Sequence, residues 1–393
     1  MALFHPKIKL FVQGRGEAFS TLKNKIQKDD KVIWVHVASL GEFEQGLPVI
    51  EKLKSIYPSH KILITFFSPS GYEVKKNNEI ADAVVYLPMD TRKNAQRFLA
   101  VVNPALVIFV KYEIWPNYLK ILKEKQVPTL LISAIFTKEQ VYFKWYGEIL
   151  RKALQTFTHF FVQDENSVAL LESIKLKNVT LSGDTRFDRV TEILESDNNL
   201  TFMEQFKENE TCLVAGSTWP EDEEIIVEFI NESSKPLKMV IAPHNINTDH
   251  IQSLRKSILK KVVLYSEIEN DDISSYEVII VDTIGLLTKI YSYADIAYVG
   301  GAFATGLHNT LEPAVFGIPI IIGPQYKGFK EAENLVDRKG ILVTKTYHEF
   351  TTVLNELLAN QEFLKNTGQI NGSYVRENKG ASIQIIAHIR TLL

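Results

Sequence analysis

Short runs of apolar, mostly β-branched residues recur along this chain with helically spaced stretches between them, and that alternation points to a parallel α/β architecture. In the first half the runs predict strands over 32–38, 61–67, 83–87, 106–110, 129–133 and 159–163, with 179–182 as a further edge strand. Helices are expected between them at 42–56, 70–78, 91–102, 116–125 and 139–153. The strand runs hold few charges, as they should where helices cover both faces of a sheet. A second series follows, with strands expected over 212–216, 237–242, 261–264, 278–282, 296–300 and 319–322. Helices are expected at 222–231, 249–259, 284–291, 309–316 and 329–338, and the last fifty residues read as helical, including 350–359 and 383–393.

Residues 190–210 are rich in charge and carry no strand signal. The expected division is therefore a first Rossmann-like domain over 1–190, a linker over 191–210 and a second over 211–393, with the final helix a candidate to pack back on the first domain. A length of 393 residues suits two domains, each with its own core. Two doubly wound domains are expected to face a central cleft, where the strand ends gather ligands.

Charge narrows the partners. With 44 Lys and Arg against 47 Asp and Glu, the net charge of −3 gives no basic field for nucleic acid. The first 31 residues are locally basic, with Arg15, Lys23 and Lys25 among seven cations against three acids, and read either as a solvated segment or as one that meets an anion. No apolar run reaches the ~18 residues that span a bilayer, so attachment to a membrane would be peripheral. Cys212 has no intrachain partner, and its apolar neighbours make it a core residue.

Five loci carry chemistry. In HVASLGEFE, Ser39 and Gly41 turn the chain from a strand into a helix and leave Glu42 in its first turn, either as a dipole partner or as a proton acceptor. FVKYEIWP sets Glu113 and Trp115 after a buried strand, and DTRFD offers Arg186, whose guanidinium suits a carboxylate or phosphate. Gly216–Thr218, with Ser217 central, precedes a helix and either caps it or presents N–H groups to an anion. The stretch 295–334 is glycine-rich and polar, and places Asn309 and Glu312 three apart near a helix start, with Thr310 and Leu311 between. His244 is a candidate phosphate contact. No HxxxH or CxxC spacing favours a metal, and neither a P-loop nor a GxSxG elbow occurs.

Taken together, HVASLGE, YEIWPN, SGDTRFD, AGSTWPEDEE, VDTIGLL and YADIAYVGGAFATGLHNTLEPAVFGIPIIIGP resemble the 3-deoxy-D-manno-octulosonic acid (Kdo) transferase family over almost the whole chain, from about Gly14 to the C-terminal helix. The resemblance implies a GT-B glycosyltransferase with two Rossmann-like domains and an inverting transfer of Kdo from CMP-Kdo to a lipid A precursor in lipopolysaccharide assembly. It implies Glu42 as the catalytic base, with Glu113 and Arg186 assisting the transition state. Pro243, His244, Ile284, Gly285, Leu286, Asn309, Thr310, Leu311 and Glu312 match the CMP-contacting segments, with Ser217 beside them. Ser39, Gly41, Arg15, Lys23 and Lys25 fall on the acceptor or membrane side. No metal or other cofactor is implied.

The same resemblance places the protein peripherally on the cytoplasmic face of the bacterial inner membrane, with Phe4 and Phe19 as shallow contacts and without the family's N-terminal anchor. The sequence departs from the family at Ala242-Pro243-His244, where Pro-Arg-His is common, at Leu286, where glutamate is common, and at Arg186, where lysine is common. Alternatives are a GT-B transferase for another nucleotide sugar and a non-catalytic nucleotide-sugar-binding protein at the membrane surface.

Overall fold

The computed structural model describes residues 6–268, 272–304 and 306–393, apart from the side chains of residues 6–10, 12 and 13, so Phe4 lies outside the described residues. The chain forms two compact units, residues 1–189 with 378–393 and residues 190–377. Among the described residues, each unit is built on a seven-stranded, wholly parallel sheet.

The strands of the first unit are β1 (Lys31–Val37), β2 (His60–Phe66), β3 (Ala83–Tyr86), β4 (Pro104–Val110), β5 (Thr129–Ala134), β6 (His159–Val162) and β7 (Val179–Leu181), in the order β3-β2-β1-β4-β5-β6-β7. Chain order reverses between β1 and β4, which opens a crevice at their carboxyl ends. Aromatic rings fill one face. Trp34 lies 4.8 Å from Phe98, 5.4 Å from Phe109 and 5.8 Å from Tyr118, and its indole N–H donates to Thr65 Oγ1 at 2.8 Å. Such pairs contribute about 0.5–1.5 kcal/mol each beyond their burial.

The second unit holds β8 (Cys212–Thr218), β9 (Lys238–Pro243), β10 (Val262–Leu264), β11 (Val278–Ile280), β12 (Ile296–Val299), β13 (Ile320–Ile322) and β14 (Ile341–Val343), in the order β10-β11-β9-β8-β12-β13-β14. Its reversal falls between β8 and β12. Cys212 is fully buried at the start of β8, where burial pushes its thiol up to about 12.

Several local features add to or differ from the sequence expectations. Residues 191–210, expected as a linker, hold the end of the helix Arg186–Ile193 and the helix Thr201–Lys207, and they cluster with the second unit. Lys207 reaches the Tyr293 carbonyl at 2.8 Å and Asp295 at 2.9 Å, which anchors that helix. The tail 378–393 belongs to the first unit, where Ile385, Ile386 and Ile389 join the core of β1 and β4 and Asp188 accepts from the Gly380 and Ser382 amides.

The basic N-terminal segment is itself a helix, Pro6–Lys25. The single helix expected over 139–153 is a 3-10 turn, Val141–Phe143, followed by the helix Glu148–Leu154. Gly147 marks the break, since a Cβ there would lie 1.8 Å from the Val141 carbonyl oxygen. Around Asn309 the helix runs only Leu311–Ala314, and Asn309 precedes it.

Candidate functional site

At the carboxyl end of β1 the chain turns through Ala38 and Ser39 into the helix Leu40–Ile56. Ser39 is its N-cap and accepts from the Glu42 amide at 3.4 Å, while Glu42 Oε2 accepts from the Ala38 amide at 2.5 Å. This reciprocal arrangement, close to a capping box, fixes the carboxylate over the strand end. Glu42 is buried, and burial pushes its carboxyl up to about 7. The Ala38 bond and Lys111 oppose that rise, and the charge of Glu113 adds to it.

Glu113 comes from the neighbouring strand end, after a turn in which Lys111 has φ 66°. Its Oε2 accepts from Trp115 Nε1 at 2.8 Å and lies 3.0 Å from His36 Nε2. Burial raises the Glu113 carboxyl, but the His36 hydrogen bond and charge, with the Trp115 bond, outweigh it and hold the group below its ordinary value. His36 is fully buried, with Nδ1 2.8 Å from Thr65 Oγ1 and 3.1 Å from the Thr65 carbonyl. A carboxylate can only accept, so His36 Nε2 carries a proton. Two carboxyls at one strand-end crevice are thus driven apart, one towards neutrality and one kept ionised. That split is how acid and base roles are divided in active sites.

Arg186 lies at the start of the helix Arg186–Ile193. Its Nε and Nη2 each lie 2.8 Å from Asp184 Oδ2. Gln45 Nε2 donates to Asp184 Oδ1 at 3.2 Å, and Thr185 donates to the Gln45 carbonyl, which ties this segment to the Glu42 helix. Tyr112 joins the same group. Its hydroxyl is raised by burial first and then by the charge of Glu42, against Arg186.

Arg15, expected on the membrane side, has its guanidinium committed elsewhere. It donates to the carbonyls of Leu87 at 3.2 Å and Phe67 at 3.0 Å and lies 3.5 Å from the Phe11 ring centroid. Burial lowers its pKa to about 10. Lys23 and Lys25 are exposed at the far end of that helix, where the Lys25 carbonyl accepts from Lys61 at the amino end of β2. Arg15 therefore sits by the carboxyl edge of the sheet and the two lysines by the amino edge, so the three form no single cationic face.

In the second unit Ser217 (φ 54°), Pro243, His244, Ile284, Gly285 and Leu286 lie at or just beyond the carboxyl ends of β8, β9 and β11. Gly301 after β12 requires glycine, with φ 93° and a Cβ position 2.3 Å from the Gly306 carbonyl oxygen. Trp219, His244 and His308 stack, with centroids 5.0 and 4.4 Å apart. Trp219 Nε1 donates to His308 Nε2 at 3.0 Å, so a neutral His308 keeps its proton on Nδ1. Burial first, and then the proximity of His244, lowers the His308 pKa.

Asn309 Nδ2 donates to Glu312 Oε1 at 2.9 Å, Thr288 donates to Oε2 at 3.0 Å, and Asn309 Oδ1 accepts from the Leu311 amide at 3.1 Å. Thr310 and Leu311 are buried behind them, whereas Ile284 and Gly285 are exposed.

The protein-family model described as 3-Deoxy-D-manno-octulosonic-acid transferase (kdotransferase) matches residues 13–189, the segment that carries Glu42, Glu113 and Arg186. The 3-deoxy-D-manno-octulosonic acid transferase of Aquifex aeolicus is 29% identical across 90% of this chain and 95% of its own. The chain is thus similar to the Kdo transferase family over most of its length.

A second Kdo transferase relative, from Haemophilus influenzae, is 28% identical over 92% of this chain and 87% of its own. A Fusobacterium nucleatum protein called a bifunctional glycosyltransferase/methyltransferase is 29% identical over 98% of this chain, which spans 61% of that relative's length. In fold, the chain is similar to UDP-GlcNAc 2-epimerase from Neisseria meningitidis, with TM-score 0.64, 18% identity, and 92% of this chain and all of the other covered. Acinetobacter baumannii MurG matches with TM-score 0.59 and 11% identity over 92% of this chain and 99% of its own. The architecture is GT-B.

Several residues of these two strand-end groups were not singled out from sequence. His36 lay inside a recognised motif without a role. Asp222 accepts from Tyr298 at 2.7 Å, the Gly301 amide at 2.8 Å and the Trp219 amide at 2.9 Å, joining the loops after β8 and β12. Its only sequence signal was an acid in the first turn of a helix. Among the described residues, no cluster of His, Cys, Asp or Glu has the arrangement of a metal site.

Proposed function

We propose that the chain transfers Kdo from CMP-Kdo to a hydroxyl of a phosphorylated, acylated glucosamine disaccharide, the lipid A precursor, with inversion at the anomeric carbon. The acceptor oxygen forms its bond to that carbon, the bond to the CMP phosphate breaks, the hydroxyl proton passes to Glu42, and CMP leaves from the opposite face. A single observation carries this reading. Glu42, fixed over the crevice by Ala38 and Ser39, has its carboxyl raised to about 7, near the optimum for a general base at neutral pH.

Glu113, held ionised by His36 and Trp115, adds negative charge beside a centre that gains oxocarbenium character, and fixed charge of this kind lowers the barrier. Arg186, oriented by Asp184, offers a guanidinium for the acceptor's or donor's anionic groups. In the second unit the Trp219–His244–His308 stack offers a ring surface for a base, and Asn309, Thr288 and Glu312 form a polar group suited to ribose hydroxyls. No described helix is long and apolar enough to cross a membrane, and we place the enzyme peripherally on the cytoplasmic face of the inner membrane, where such an acceptor resides.

Incubation with CMP-Kdo and a tetraacylated, bisphosphorylated lipid A precursor, followed by mass spectrometry, tests the reading. The expected result is an acceptor heavier by Kdo units with matching release of CMP. Turnover of a UDP- or GDP-sugar in place of CMP-Kdo, or an acceptor that gains no Kdo mass, would overturn it.

A further inference from the structure

Residues 141–149 combine rigidity with apolar exposure. Tyr142 and Phe143 are anchored inward, with ring centroids 6.1 and 5.9 Å from buried Phe136. Arg151 Nη1 donates to the Tyr142 carbonyl at 3.0 Å and the Lys144 carbonyl at 2.7 Å, clamping the turn. On that clamped backbone Trp145 is 89% exposed, Ile149 78% and Tyr146 59%. Three large apolar side chains held outwards together differ from scattered surface residues and mark an interaction surface.

Charge identifies what this surface meets. Residues 116–125 and 138–152 together carry seven lysines and arginines against three glutamates. Between the helices Pro116–Glu124 and Glu148–Leu154 runs a groove of about 580 Å³, lined by Pro116, Ile149 and Ala153 with Lys120, Lys123 and Lys152. An aromatic pair with lysines around it is the composition of a membrane interface, where indole and phenol rings sit at headgroup level and lysines meet anionic lipid. The surface also borders the candidate site. The helix Pro116–Glu124 begins immediately after Trp115, which is bonded to Glu113, and Tyr142 lies close enough to feel the Glu113 charge.

We propose that Trp145, Tyr146 and Ile149, with Lys120, Lys144 and Lys152, form the surface by which the first unit docks on an anionic lipid bilayer. Docking here brings Glu42 and Glu113 to an amphiphilic acceptor in that bilayer, a purpose that rests on the transferase reading, although vesicle binding itself needs no turnover.

The full chain is to be cosedimented with phosphatidylglycerol and with phosphatidylcholine vesicles. The expected result is salt-sensitive binding to phosphatidylglycerol that falls about tenfold or more in the W145S/Y146S/I149S variant, and comparably in K120E/K152E. Acyl-brominated phosphatidylglycerol should quench tryptophan fluorescence in the parent and much less in W145F, because Trp34 and Trp115 are buried and Trp219 is half-buried against His244. That conservative variant decides the matter if the triple variant does not fold. Parental binding by a folded triple variant, equal quenching in W145F, or a lipid-free dimer that depends on these residues would overturn the proposal. Vesicle binding by a parent that releases no CMP from CMP-Kdo would overturn the transferase reading and leave the docking surface standing.

Discussion

His36 Nε2 lies 3.0 Å from Glu113 Oε2, and the imidazole that makes this contact is wholly buried between β2 and β4. A buried ring that donates to a carboxylate at a strand-end crevice keeps that carboxylate charged. His36→Gln retains a donor, and His36→Ala leaves Glu113 with Trp115 alone. Turnover is expected to fall more in the alanine variant, roughly 10-fold or more if about 1.5 kcal/mol or more of charge-assisted bonding is lost. Donor binding by calorimetry should stay within two-fold, and equal turnover in both variants would remove His36 from the positioning of Glu113.

Glu42→Gln is expected to lower acceptor-dependent turnover by roughly 10²- to 10⁴-fold while leaving CMP affinity unchanged. In the parent, turnover should rise with pH as Glu42 loses its proton near pH 7. Glu113→Gln removes the neighbouring negative charge, so the rising limb of the residual activity should move to lower pH. A limb that stays in place would show that Glu113 does not act on Glu42.

Glu42 also makes stability depend on pH. Its folded pKa is raised, so between about 4.5 and 7 the folded chain keeps a proton that the unfolded chain has lost, and stability falls as pH rises through that window. Glu42→Gln removes this dependence. Above pH 7 the variant should be more stable than the parent by up to about 3 kcal/mol, with the difference shrinking as pH falls towards 4.5, as read from denaturant titrations.

Glu312→Ala removes the acceptor shared by Asn309 Nδ2 and Thr288 Oγ1. CMP affinity is expected to weaken by about tenfold, the order of a lost hydrogen bond to a charged group. Circular dichroism should barely change, because the helix there is only Leu311–Ala314. Unaltered calorimetric affinity would return Glu312 to a purely structural role.

Arg15→Ala should cost about 2 kcal/mol of stability through the lost bonds to Phe67 and Leu87 and the uncovered Phe11 and Tyr86 rings. Vesicle binding should be unchanged once the variant is folded. A selective loss of vesicle binding without a change in melting temperature would restore Arg15 to the membrane side.

The alternation of apolar runs with helical stretches by itself determined the two α/β series, because a strand buried on both faces needs a near-continuous apolar run wherever it sits. The same local logic made Glu42 legible: Ser39 caps a helix and Glu42 stands three residues on, so their relation is written in adjacent residues. Cys212 was legible for a similar reason, since its neighbours alone fix its burial.

Tertiary structure decided what depends on distant partners. Arg15 looks like a free surface cation until the carbonyls at the ends of β2 and β3 claim it, 52 and 72 residues away. His36 acquires a role only when β4 lies beside β1 and delivers Glu113 from 77 residues away. The exposure of Trp145 and Tyr146 came from a break at Gly147 that helical periodicity passes over, because a lone glycine does not show which carbonyl it must clear. Periodicity reports which face of an element is apolar. Only packing fixes which charges are desolvated and paired, and at this site those conditions set the Glu42 and Glu113 carboxyls apart.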